Sequence, residues 1–175
     1  VLTATATVTV SGQSWNGSAG SDWDNPSNWS CGFVPYPGTD ITIPDVANEP
    51  VIGSGVTGEA ANITIVAGSS LTVAGGTIRI HGSVTNNGTF DLSDGTAEFC
   101  GPDAQSAGAG IFAGNTVRNL TVNNSAGLTL LGPLNVRGIV LVQNGSLASD
   151  GHLTLLSDAV QTALIDGSGG GSVTG

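Results

Sequence analysis

No lysine and no methionine occur in this chain, and only three arginines stand against thirteen acidic residues, giving a formal net charge of −10 and a pI near 4.1. Such a surface repels phosphate backbones and anionic headgroups, which excludes nucleic acid as a partner. The longest strongly apolar run, Ile139 to Val142, is far too short to span a bilayer, and no basic-then-apolar leader opens the sequence, so membrane insertion is not expected. The chain starts at Val1, as expected of a processed chain or an internal segment. Helix formers are scarce against 28 glycines and abundant Thr, Val, Ser and Asn, so almost no helix is expected. With two distant histidines, His81 and His152, and no CxxC spacing, no metal and no cofactor is expected.

What the chain does have is a rhythm. Short apolar-x-apolar triplets recur between Gly, Asn and Ser: Ile63-Thr64-Ile65, Leu71-Thr72-Val73, Ile78-Arg79-Ile80, a single Val84, Phe90-Asp91-Leu92 and Ala97-Glu98-Phe99. The pattern resumes from Leu120-Thr121-Val122 through Leu153-Thr154-Leu155 to Ala163-Leu164-Ile165. Alternation of two puts the outer members of a triplet on one side and the middle one on the other. Three such faces make a coil of about 20 residues that buries its apolar side only against the next coil. The expected fold is all-β: a right-handed parallel β-helix, a three-faced β-solenoid of about six coils and about 30 Å of stacked strands. Residues 41–166 form it, starting at Ile41-Thr42-Ile43, with a looser rung and a surface excursion over 101–117.

The segments outside the coils differ in kind. Trp15, Trp23 and Trp29, the only tryptophans, fall in residues 12–40, which read as a cap over the open end of the solenoid. The alternative is a sugar platform, with indole faces stacking on pyranose rings and polysaccharide as partner. The nearby Asp22, Asp24 and Asn28 have the spacing of ordinary Asx turns, and no Ca²⁺ is assigned to them. Cys31 and Cys100 are the only cysteines and are expected to form a disulfide tying cap to solenoid. Residues 1–11 alternate strictly from Leu2 onward, with Leu2, Ala4, Ala6, Val8 and Val10 on one side, and read as a strand arm that needs a partner. Residues 167–175 are a Gly-rich tail.

The run Trp15-Asn-Gly, Ser-Asp-Trp23, Asn28-Trp29, Val34-Pro35 and Thr42-Ile-Pro44, followed by Val84-Thr-Asn-Asn-Gly-Thr-Phe90, Asn119-Leu-Thr-Val-Asn-Asn-Ser125 and Leu153-Thr-Leu-Leu-Ser-Asp-Ala159, resembles the β-helical modules of large secreted Bacteroidota proteins. The likeness covers about residues 12–175. It implies a surface or adhesin-like module exported by the type IX secretion route, without assigned catalytic residues. The sorting domain that marks that route in the family is not part of this sequence.

Catalysis finds little support in the residues. Arg79 lies 19 residues before Glu98, one coil away, so the two are expected to stack as an exposed ion pair contributing little. No Ser-His-Asp or phosphate-loop pattern occurs, and both histidines flank strands at turns. Outward threonines resemble the arrays of ice-binding solenoids only loosely, since Thr72 is followed one coil on by Asp91. The function expected is therefore structural or adhesive: an extracellular, cell-surface, non-enzymatic module. Its partners are copies of itself, joined head to tail into a filament by strand complementation, or the flanking modules of a longer surface protein.

Overall fold

The computed structural model describes residues 12–175, so the expected arm at Leu2, Ala4, Ala6, Val8 and Val10 lies outside the described residues. The rest is a parallel β-helix of about six coils, as the triplet rhythm implies. Strand β1 (Gly12–Ser14) lies above the first coil, which is made of β2 (Asp40–Ile43), β3 (Val51–Gly53) and β4 (Thr57–Ala60). The second coil is β5 (Ile63–Ile65) and the bent β6 (Ser70–Ile80), and the third is β7 (Val84–Asn86) and β8 (Thr89–Phe99). The fourth is β9 (Gln105–Ala107) and the first part of β10 (Thr116–Leu130). The end of β10, β11 (Leu134–Val136) and the start of β12 (Ile139–Ala148) make the fifth. The end of β12, β13 (Leu153–Leu155) and β14 (Leu164–Asp166) make the sixth, with β15 (Ser172–Thr174) below it.

Neighbouring strands pair in parallel with like residues stacked: Ile41 on Ile63 on Val84, Leu71 on Phe90, Ile78 on Ala97 on Leu120 on Val140. Burying each such Ile, Leu or Phe contributes roughly 1.5–3 kcal/mol, which no coil obtains alone. The long strands turn a corner partway, and Gly75 makes that bend in β6 at φ +80°, a conformation that costs a side-chain-bearing residue. At the corner before the first face, side chains answer the backbone one coil on. Asp40 Oδ1 accepts from the Asn62 N–H at 3.1 Å and Asn62 Oδ1 from the Ser83 N–H at 2.9 Å; at the corner before the third face, Asn119 Oδ1 accepts from the Ile139 N–H at 2.9 Å.

The looser rung carries its excursion between β9 and β10, and Phe112 returns from it into the core against Phe90 and Phe99, at ring distances of 5.3 and 6.5 Å. The tail differs from its reading as a segment outside the helix, because Ser172–Thr174 pairs with β12. Gly169 and Gly171 allow this by approaching the Val142 and Gly145 backbone more closely than any Cβ permits. One face is discontinuous. The first face runs β1, β2, β5, β7 and stops, then restarts at β9, which among the described residues pairs only with β10; no strand pairing joins β7 to β9.

Candidate functional site

The two ends of the solenoid, the expected seats of function, are built differently. At the first coil, Trp15, Trp23 and Trp29 are 1%, 0% and 2% exposed. Trp29 lies between the other two in edge-to-face contacts, with ring centroids 5.0 Å from Trp15 and 4.8 Å from Trp23. Trp15 Nε1 donates to the Asn48 carbonyl at 2.6 Å and Trp29 Nε1 to the Trp23 carbonyl at 2.9 Å. The segment is stitched onto β3, with the Val51 N–H bonding to Ser21 O at 2.8 Å and the Trp23 N–H to Val51 O at 3.2 Å. This is a cap whose indoles form core, so no face is presented for stacking on a sugar ring. Asn28 is spent internally, its amide donating to Asp22 O and its Oδ1 accepting from the Ala19 N–H.

Among the described residues the last coil has no such cover. Leu155 and Ile165 stack in register below Val136 and Val140. Both upper residues are 0% exposed, whereas Leu155 is 37% and Ile165 46% exposed. Leu156, Val160 and Leu164 are exposed as well. Among the described residues, strands β13, β14 and β15 each pair on one side only, with β11, β12 and β12, which leaves backbone edges and core residues of this end without a described partner. In the excursion before β14, Asp158 Oδ1 accepts from the Val160 and Gln161 N–H groups at 2.8 Å. These bonds, then Arg137, hold its carboxyl below the ordinary aspartate range.

The expected disulfide is not formed: both cysteines are free thiols. Cys31 is exposed on the cap beside Ser30, while Cys100 directly follows β8 in the third coil, its Sγ 3.6 and 3.7 Å from the His81 ring nitrogens. Two coil steps separate the third coil from the first, roughly 10 Å, beyond the Cα separation of about 7 Å that a disulfide spans. Burial, then the charge of Glu98, pushes the Cys100 thiol up to about 11. A thiol held in its protonated form is a weak nucleophile.

Arg79 and Glu98 do stack, with Nε to Oε2 at 2.9 Å, and Arg79 also reaches Glu59 at 3.2 Å. The pair differs from the exposed one expected, since the Glu98 side chain is only 10% accessible, lying under Arg79 and accepting from Asn123 at 3.3 Å. Hydrogen bonds to Glu98, then to Glu59, raise the Arg79 guanidinium above its ordinary value. Sequence reasoning also missed a column of hydroxyls on the first face. Ser14, Thr42, Thr64 and Thr85 are in register, as are Ser106 and Thr129, with Ala148 and Thr174 below them. The third face carries Glu59, Arg79, Glu98 and Thr121 at the corresponding positions, so the column is a property of one face. Among the described residues no group of three or more His, Cys, Asp or Glu is placed to hold a metal ion, and no helix is long and apolar enough to cross a membrane.

Residues 14–98, a little under half the chain, are similar to a domain of unknown function (DUF8693), a stretch running from the cap to the end of the third coil. No curated protein and no solved structure matches the chain.

Proposed function

We infer that this chain is a non-catalytic structural or adhesive module of the cell surface that joins end to end, the arm of one copy adding as a strand to the open last coil of the next. The observation that carries the reading is the contrast within two stacked pairs. Val136 and Val140 are buried, while Leu155 and Ile165 directly beneath them are not. A second copy that supplies a strand to β13 or β14 removes apolar area from water and satisfies the free edge in one step. The arm suits this role in composition, since residues 2–10 alternate apolar and Thr without a Gly, Asn, Asp or Pro to turn a corner. Acidity, the absence of lysine and the likeness to exported Bacteroidota modules support an extracellular setting and the type IX route.

The test is the assembly state of the native chain against one lacking residues 1–10. Loss of fibres on deletion is the expected result. Fibres that persist without the arm overturn strand donation, and assembly would then have to rest on flanking modules or on direct coil-to-cap stacking.

A further inference from the structure

The break in the first face is where the fold departs most from its own pattern. In a parallel ladder the N–H and C=O of one residue point to the same side, and successive residues alternate. Ser83 O and the Asn87 N–H bond to β5, and Ala107 O accepts from the Leu131 N–H of the next coil. The backbone groups of Val84 and Asn86 therefore face β9, and those of Ser106 face β7, with no strand among the described residues to receive them. The gap is held open from both ends by side-chain amides. Gln105, buried, donates from Nε2 to Ile80 O at 2.9 Å and Gly82 O at 2.8 Å, while its Oε1 accepts from the Gly101 N–H and from Asn124 Nδ2, each at 2.9 Å. At the other end Asn86 Nδ2 donates to Ile111 O at 3.1 Å and Gly110 O at 3.4 Å. Every bond Gln105 can make along this edge is made, so the opening is a fixed part of the structure.

Two adjoining clefts of about 250 and 340 Å³ open onto this gap and share Ser83 and Ser106. The first contains Asp103; the second has an apolar wall that includes Ile111 and Leu131, the latter 64% exposed. All three arginines are engaged elsewhere, Arg79 with Glu59 and Glu98, Arg118 with Asp94 and Arg137 with Asp158. The chain has no lysine and each arginine is paired with a carboxylate, so the partner whose charge complements Asp103 is a Lys- or Arg-bearing segment of a different protein. No tryptophan, tyrosine or phenylalanine lines either cleft, which disfavours a stacked sugar ring.

We propose that the gap between β7 and β9 is a docking slot for an extended segment of another protein, carrying a basic residue toward Asp103 and an apolar residue against Leu131. Its main chain pairs with the free groups of Val84, Asn86 and Ser106, and Thr85 and Ser106 present hydroxyls along the same edges. This slot is on the flank of the rod and does not depend on end-to-end assembly.

The experiment is amide hydrogen exchange by NMR on the full chain, alone and with a panel of blocked hexapeptides in which Lys and Thr alternate with Val or Leu. In the free protein the Val84, Asn86 and Ser106 amides are expected to exchange at least tenfold faster than those of Thr85 and Ala107, and to slow when a peptide binds. Asp103→Asn and Leu131→Ser, both at exposed positions, are expected to weaken binding about tenfold each, and the same peptides with Glu for Lys are expected not to bind. Free-state protection of the three amides, failure of every peptide at millimolar concentration, indifference to Asp103→Asn, or protection by a neutral oligosaccharide instead would each overturn the proposal.

Discussion

The first and last coils are made of the same kind of triplet, yet one is sealed and the other is not. Above the first coil three tryptophans, each at most 2% exposed, replace the coil that would otherwise stack there. Below the last, Ile165 keeps the inward position of Val140 but has no described layer beneath it, and 46% of it is exposed. Inward position in a solenoid thus fixes where a side chain points, while burial is supplied by the neighbouring layer. The cap gives that layer to one end, and the described residues give none to the other.

The comparison is broken most severely by removing the cap. Trp23→Ala is expected to cost about 3–5 kcal/mol in urea denaturation, as for a large buried aromatic, whereas Ile165→Ala is expected to cost less than about 1 kcal/mol in the isolated subunit. Equal costs at the two ends would contradict the asymmetry. Ile165→Lys sharpens the contrast: assembly should fail while the melting temperature of the subunit stays unchanged, as read by sedimentation and calorimetry side by side. The two thiols provide a smaller and pH-dependent contrast. Cys31 is expected to be alkylated rapidly at pH 8 and Cys100 slowly, since the latter is pushed up to about 11 from an ordinary 9.0. The folded state holds the Cys100 proton more tightly than the unfolded one. Its contribution to stability is therefore intact below pH 9.0 and is lost as pH rises toward about 11, and Cys100→Ser should remove that alkaline loss. The smallest effect is expected for Arg118→Ala, whose 2.7 Å contact with Asp94 joins two exposed groups; stability should fall by less than about 0.5 kcal/mol.

The coils were legible because a buried face must alternate, and Ile63-Thr64-Ile65 or Leu128-Thr129-Leu130 has little other use than to point two apolar side chains at a core. The cap was legible because three tryptophans in a chain so poor in aromatics need a place to be buried. What polar residues do inside the fold was not. Gln105 and Asn86 bracket the sheet break, but as single amides they carry no periodic signal. The burial of Glu98 depends on Asn123 and Arg79 closing over it from adjacent coils, contacts set by register. The hydroxyl column escaped for a related reason. Its members are 22 and 21 residues apart from Thr42 to Thr64 to Thr85, while a step of 19 residues, correct from Thr72 to Asp91, aligns the wrong face. The thiols misled because spacing and secretion-like composition say which cysteines exist, and only the coil count says how far apart they lie.

The most direct test of the central claim, that the open coil is an assembly surface completed by another copy, is negative-stain electron microscopy of the native chain, free of tags on Val1, across a range of concentrations. The account predicts uniform fibres whose axial repeat matches the stacked coils, about 30 Å, plus the cap. Short single rods at every concentration would contradict it.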